Sequence, residues 1–405
     1  MSKMMSIDDW IRVYQSHLLA DARERVPGLS MSVRDAFVAV PRHMFVEEYR
    51  TLEHPSYRRV DAANLLEHLP ALYRDNGLGI FGHDAATGVT ISTPSLVLEM
   101  LELLQLSPGM RVFELGAGSG WNAGLLGHLV GPNGYVETVE IIPELAMRAT
   151  NALQRLGLAN VKVIVGDGGL GPVSDTRFDR AVFTAGSYDI PRRLHDQVTF
   201  GGLLLFVLKC PGGGDVLILL RREVDHFRSL FARPCMFVPV TGPTRDASED
   251  PEPISALPLW QQLAQRRIRT RPLLCGSGRG DFAARTFDLR SSLSIFEPRI
   301  RCFLDDGDRD PVAPPWTGCT AFGLCLFDAT SIALARGTSI DTYGNADAGD
   351  RMEDLLRQWL DLGMPSAAGL DVRAYPSDRA PQPEPGQWAI KRRDTCFVWS
   401  PRSRS

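Results

Sequence analysis

The run VFELGAGSGWNAGLL, residues 112–126, carries the densest chemistry in the chain. It reads as an apolar strand, a glycine-rich turn and a helix. Gly116, Gly118 and Gly120 let the chain turn tightly and let backbone come close to a ligand. A glycine-rich strand-to-helix connection without a ligand is the plain alternative. A dinucleotide fingerprint needs G-x-G-x-x-G; here the spacing is G-x-G-x-G, and Trp121 stands where the third glycine belongs. A phosphate loop needs G-K-[ST], which is absent. Glu114, two residues before the first glycine, points elsewhere. A carboxylate at a strand end can face a cation, and S-adenosylmethionine carries an ammonium and a sulfonium with no pyrophosphate.

Two further acids follow in order. Glu140 ends the strand-like run YVETVEI and can accept both hydroxyls of a ribose; a solvated strand-end charge is the other reading. Asp167 and Gly168 follow the next strand in VGDGG, where the aspartate can meet an adenine amino group; an ordinary Asp-Gly turn is the alternative. Three acids at the carboxyl ends of three consecutive strands weigh more than any one, because ligands of such sheets bind at those ends. A fourth candidate lies upstream, in TGVTISTPSLVLEML, residues 87–101. Thr93 is a good N-cap and Pro94 suits the first helical turn. Ser92 sits just outside that helix N-terminus, where backbone N–H groups favour an anion. Thr90 is a lesser candidate, read as structural.

Elements that alternate strand and helix must position these residues. RVFEL, YVETVEI, NVKVIVG, FDRAVFT and LLLFVL read as strands. WNAGLLGHLV, PELAMRATNALQRLG and IPRRLHDQV read as helices between them. This grammar predicts an α/β fold with a doubly wound, mostly parallel sheet. Gly201-Gly202 reads as a turn into LLLFVL, and DVLILLRR and CMFVPV as antiparallel strands at one sheet edge. Upstream, VRDAFVAVP and AANLLEHLPALY have helical spacing, and RDNGLGIFGHDAATG reads as loop. The Pro-, Ser- and acid-rich residues 243–258 read as a linker between an α/β domain over 1–242, with its N-terminal helical segment, and a small α+β accessory domain over 259–405. In the latter, LWQQLAQRRIR is expected as a helix, RCFL and FGLCLF as strands, DRMEDLLRQWLDLG as an amphipathic helix, and LDVRAYP and WAIKRRDTCFVWS as final strands.

Bulk properties restrict the function. The 405 residues are 44% hydrophobic and 23% charged, a globular composition long enough for two or three domains. A net charge of -4 gives no basic field for a phosphate backbone, so no nucleic-acid partner is expected. No apolar run approaches membrane-spanning length, so no membrane partner is expected. The start, MSKMMSIDDWIRVY, lacks the apolar region of a secretory signal. The seven cysteines are scattered, form no C-x-x-C pair and predict free thiols and a cytoplasmic setting. No H-E-x-x-H motif or His/Cys cluster appears, so no metal is expected.

With these residues in view, the chain resembles the protein-L-isoaspartate (D-aspartate) O-methyltransferase family from about Val33 to Gly242. The similarity runs through VRDAFVAVPRHMFV, YRDNGLGI, VTISTP, VFELGAGSGWNAGLLGHLV, VETVEIIPELA, VKVIVGDGGLG, FDRAVFTAG, IPRRLHDQVTFGGLLLFVL and FVPVTG. The T-I-S-x-P element is specific to that family among class I methyltransferases. The resemblance implies that Ser92 contacts a substrate carboxyl, and that Glu114, Gly116, Gly118, Glu140 and Asp167 bind S-adenosylmethionine in a Rossmann-like class I fold. It implies a protein or peptide substrate carrying isoaspartate or aspartate, and an ester that closes to a succinimide when the next backbone nitrogen attacks. Two stretches depart from the family pattern: the longer lead-in FGHDAATGVTIS, and Gly169-Leu170-Gly171 after GDG. FEPRIRCFLDDG, FGLCLFDATSIALA and DRMEDLLRQWLDLGMP are also similar to the tails of relatives associated with ribosomally made modified peptides, which methylate a normal aspartate. A cofactor-binding adaptor without methyl transfer is the competing reading from another class.

Overall fold

The computed structural model describes residues 5–51, 53–82, 88–211, 214–246, 252–273, 279–304, 323–336 and 339–402. Two compact units interleave along the chain. The first takes the residues up to Ala185, Asp196–Leu205 and Thr241–Thr244; the second takes Gly186–His195, Phe206–Val240 and the chain from Arg245.

The first unit begins with α1 (Ile7–Arg25) and α2 (Met31–Ala39). Ser6 and Asp9 form a capping box on α1, each side chain accepting from the other's backbone N–H. Two short pieces, β1 (Glu48–Tyr49) and β2 (Arg58–Arg59), pair antiparallel before α3 (Leu65–Leu72). The stretch expected as loop then holds β3 (Leu78–Phe81), which pairs antiparallel with β4 (Val89–Ile91). The strands are too short to announce themselves by alternation. Long-range partners hold them: Arg50 and Gly79 exchange both backbone hydrogen bonds, at 2.8 and 3.0 Å. The altered lead-in over 83–87 lies outside the described residues.

α4 (Pro94–Leu104) leads to the alternating segment: β5 (Arg111–Leu115), α5 (Trp121–Val130), β6 (Tyr135–Glu140), α6 (Pro143–Arg155), β7 (Val161–Val165), β8 (Phe178–Phe183), α7 (Arg192–Gln197) and β9 (Val198–Lys209). Within this unit the strand order is β9-β8-β5-β6-β7, and every neighbouring pair is parallel. The expected doubly wound sheet is present. β5 is its switch point: β6 and β7 add on one side, β8 and β9 on the other. Phe113, Val136, Phe178, Val182 and Leu204 are fully buried. Gly201-Gly202 is not a turn before β9 but a bulge inside it. Phe178 pairs with Val198 while Arg180 pairs with Leu203, and Gly201 at φ +76° absorbs the extra residues.

In the second unit, β9 from Phe206 onward starts the order β9-β10-β11-β18-β20-β19, with β10 (Asp215–Arg222) and β11 (Phe227–Cys235). The antiparallel partner of β10 is therefore residues 227–235, not CMFVPV. A four-residue connection, Glu223–His226, closes this hairpin locally. CMFVPV contributes a bridge from Pro239 to Gly186 instead. Nor is β11 an edge, because it pairs onward with β18. A second sheet of this unit has the order β12-β14-β15-β16-β17-β13. Its parts are β12 (Glu252–Pro253), α8 (Pro258–Leu263), β13 (Arg267–Pro272), α9 (Arg279–Phe296), β14 (Arg301–Leu304), β15 (Gly323–Phe327), β16 (Ser331–Arg336), β17 (Ser339–Gly344) and α10 (Asp347–Asp361). LWQQLAQRRIR is thus helix only to Leu263; its arginine-rich end pairs with β17 as an edge strand. α10 buries Met352, Leu355, Leu356 and Trp359, while Leu360 is 40% exposed. β18 (Leu370–Pro376), β19 (Trp388–Lys391) and β20 (Thr395–Pro401) pair antiparallel among themselves and reach β11. No described helix is long and apolar enough to cross a membrane.

Phe178 is fully buried on β8, its ring 5.9 Å from that of Phe113. Phe178→Ala should cost about 3–5 kcal/mol of stability, read as a lowered urea midpoint. An unchanged midpoint would show that this part of the sheet is not the unit's core.

Candidate active site

The carboxyl ends of β5 and β8 form the crevice where strand order reverses, the usual ligand position in such sheets. Thr184, just past β8, donates from its backbone N–H and its hydroxyl to Leu115 O, at 3.0 and 2.9 Å. The glycines of the following loop differ in what demands them. Gly116 and Gly120 both have positive φ and are packed shut: a Cβ would lie 2.6 Å from Thr184 Oγ1 at the first and 2.8 Å from Ala149 Cβ at the second. Gly118, at φ +52°, faces open space; among described atoms only Val89 Cγ1, at 3.9 Å, would meet its Cβ. Trp121 replaces the third glycine of a dinucleotide loop for a packing reason. Its indole is buried, donates to Val40 O at 3.0 Å and meets Phe37 edge-on.

The acids surround that loop. Glu140 is nearly buried, and its carboxylate accepts from Gly118 N at 2.7 Å and Ile142 N at 3.0 Å. Burial pushes its pKa above the ordinary glutamate value. Glu114 is fully buried and accepts from Thr138 Oγ1 and Asn122 Nδ2, both at 2.6 Å. Burial raises its pKa to about 7, against the lowering effect of those two bonds. Asp167 accepts from Gly169 N at 2.9 Å, Thr244 Oγ1 at 2.7 Å and Thr244 N at 3.0 Å. Gly168 lets this loop lie against β5, since a Cβ there would fall 2.8 Å from Leu115 Cγ. The structure therefore joins Glu140 directly to Gly118. It sets Glu114 beneath the loop, tied to α5 and β6, and fastens Asp167 to Thr244.

Ser92 follows β4 directly and is half-buried. Thr93 occupies the N-cap position of α4 but its side chain makes no cap hydrogen bond. Asp75 caps the helix instead, accepting from Ser95 N at 2.8 Å while paired with Arg25 at 2.7 Å. Thr90 is exposed on β4. From the other side, the fully buried guanidinium of Arg42 donates to Ser92 O at 3.0 Å and Ile91 O at 3.3 Å. It also donates to Leu72 O at 2.7 Å and Asn76 O at 2.9 Å, and stands 5.4 Å from the centre of the Trp121 ring. Burial lowers its pKa to about 9, so it stays charged at neutral pH.

Arg42, Asp75, Asn122, Thr138 and Thr244 were not foreseen as functional. Arg42 and Asp75 stand in the family-like stretches VPRHMFV and YRDNGLGI, which is the signal that marks them. Thr244 comes from the stretch read as linker, and nothing local links it to Asp167. Among the described residues, no group of three His, Cys, Asp or Glu side chains is placed to hold a metal ion.

A doubly wound sheet, this glycine loop and acids at successive strand ends define a class I, Rossmann-like methyltransferase. Residues 14–245 match the family model described as Protein-L-isoaspartate(D-aspartate) O-methyltransferase (PCMT). Over 208 residues the chain is 35% identical to a protein-L-isoaspartate O-methyltransferase of Ignicoccus hospitalis, covering 51% of this chain and 88% of that one. Over 189 residues it is 40% identical to protein-L-isoaspartate O-methyltransferase 1 of Archaeoglobus fulgidus, covering 46% and 76%. A solved structure of a protein-L-isoaspartate O-methyltransferase shares the fold with a TM-score of 0.53 at 20% identity, over 89% of this chain and 96% of the other. The chain belongs to this family of carboxyl methyltransferases, whose methyl donor is S-adenosylmethionine.

The raised pKa of Glu114 has a measurable consequence. An unfolded glutamate titrates near 4.5 and the folded one near 7. The folded chain therefore holds an extra proton between those values, and the stability this group contributes below pH 4.5 is lost as pH rises towards 7. Glu114→Gln lacks this loss. Its stability relative to the parent should improve by up to about 3 kcal/mol between pH 4.5 and pH 8, measured by denaturant unfolding at both pH values. A pH-independent difference would place the Glu114 pKa at its ordinary value.

Proposed function

We propose that this enzyme methylates the free carboxylate of isoaspartyl residues in proteins, with Ser92 donating the hydrogen bond that aims the carboxylate. The observation that carries the reading is the meeting of β4 with the glycine loop: Val89 lies against Gly118, and the same short strand delivers Ser92. An acceptor held at Ser92 is thereby close to a donor held over Gly118.

The open face of Gly118 fits the body of S-adenosylmethionine, and the donor set around it fits the rest. Glu140, fixed by Gly118 N and Ile142 N, keeps lone pairs for ribose hydroxyls. Asp167, fixed by Gly169 and Thr244, would accept from the adenine amino group. Glu114, in its ionised form, would supply negative potential beneath a ligand that carries an ammonium and a sulfonium, and it holds Asn122 at the start of α5. The bound donor supplies an electrophilic methyl group on a sulfonium. The acceptor needs no general base, because a carboxylate with a reference pKa of about 4 is ionised at neutral pH. What the chain contributes is alignment of carboxylate oxygen, methyl carbon and sulfur. The methyl ester formed is open to attack by the next backbone nitrogen, which closes a succinimide and expels methanol.

A second reading rests on length. In that reading the region between residue 245, where the family match ends, and residue 405 receives a modified peptide whose normal aspartate is the acceptor. The free thiols Cys210, Cys235, Cys302, Cys325 and Cys396 support a cytoplasmic setting for either substrate.

Purified protein with methyl-labelled S-adenosylmethionine decides between them. Base-labile label should appear on an isoaspartyl peptide and not on its aspartyl twin. Label on a modified aspartyl peptide alone would favour tailoring, and label on none, with donor bound, would favour the adaptor. Ser92→Ala should lower kcat/KM for the peptide about 10–100-fold, the worth of one hydrogen bond to a charged group. Donor affinity should stay within about threefold, the spread expected when no donor contact is lost. Equal loss of both would mean that Ser92 only supports the fold.

A further inference from the structure

We infer that Arg42 is the positioning residue of methyl transfer, setting Ser92 against the donor loop through its bonds to backbone carbonyls. The inference rests on the reading that Ser92 holds the acceptor carboxylate.

The physical oddity is a buried cation with no carboxylate hydrogen-bonded to it among the described residues. Arg42 is 0% exposed, and its four acceptors are all main-chain oxygens. Asp75, whose charge favours the guanidinium, bonds Arg25 and Ser95 N. Burying a guanidinium this way is expensive, and Nε finds no partner among the described residues. A neutral packing residue would fill the space at lower cost. What only the planar fork achieves is simultaneous bonding to several carbonyls at fixed angles.

Those carbonyls belong to three separate segments. Leu72 O is at the C-terminal end of α3, where the helix dipole favours a cation. Asn76 O lies in the turn leading to β3, one residue after the Asp75 cap. Ile91 O and Ser92 O end β4. Ser92 is thus held through its own carbonyl by Arg42, and three residues later by Asp75 at Ser95 N. The guanidinium carbon also stands 5.4 Å from the centre of the ring of Trp121, the first residue of α5 and the next after Gly120. Trp121 in turn donates to Val40 O, two residues before Arg42. A closed circuit runs from the glycine loop through Trp121 and Arg42 to Ser92. Its members all lie in the first unit.

Arg42→Lys keeps the charge and loses the fork. The test measures kcat and KM for an isoaspartyl peptide, and separately the affinity for S-adenosylmethionine by calorimetry. We expect kcat to fall at least tenfold, with donor affinity within threefold and peptide KM little changed. A kcat equal to that of the parent overturns the inference. Donor affinity falling in step with kcat also overturns it, since that is the signature of a loosened fold. Should the lysine variant not fold, Trp121→Phe examines the same circuit; it should lower kcat several-fold at unchanged donor affinity, and parental kcat there overturns the inference. If the parent itself transfers no methyl to the isoaspartyl peptide, the proposed function has failed, and this is seen before any variant is compared.

Discussion

The site depends on the placement of one buried charge. Arg42 has given up water and receives in exchange four carbonyl dipoles from α3, the turn after it and the end of β4. No single carbonyl balances a desolvated guanidinium. All must be present together, so the bonds act as a geometric requirement on three segments that local sequence preference leaves free. The hairpin of β3 and β4 is too short to be stable by itself. It persists because Arg42 fixes its end and the backbone of Arg50 pairs with Gly79 along its length.

The donor side is built by the complementary device, buried anions satisfied by local donors. Glu140 takes Gly118 N and Glu114 takes Asn122 and Thr138, so the loop that must approach a ligand is held from behind. Gly116 and Gly120 are glycines because neighbouring side chains occupy the Cβ position; Gly118 is a glycine whose outer side is open. A G-x-G-x-G loop therefore combines two packing constraints with one face that no described side chain fills. Trp121 then closes the space that a dinucleotide loop's third glycine would leave.

Much of this was legible in the residues themselves. Strand and helix alternation from Arg111 to Lys209 is strong because β5, β6, β8 and β9 are mostly buried apolar runs and α6 is amphipathic. Glu114, Glu140 and Asp167 could be placed at strand ends by counting, and Ser92 outside α4 by its Thr-Pro start. What stayed hidden depended on distance in sequence. Thr93 looked like the cap of α4, but Asp75 does the capping from twenty residues upstream in the chain. β13 read as the tail of a helix until β17 gave it a partner, and Gly201-Gly202 read as a turn because a bulge is defined only by the register of β8. The partners that give Arg42 its meaning are carbonyls 30 to 50 residues away.

If Arg42 works through Ser92, their effects cannot be independent. The direct measurement is a double-mutant cycle on kcat/KM for an isoaspartyl peptide, using Arg42→Lys, Ser92→Ala and the pair. Losing the hydroxyl should leave Arg42 little to position, so the double variant should transfer methyl nearly as fast as Ser92→Ala alone, a coupling of about 1 kcal/mol or more. Free-energy losses that add within about 0.3 kcal/mol would contradict the account and leave Arg42 as a clamp of the fold with no part in aiming the acceptor.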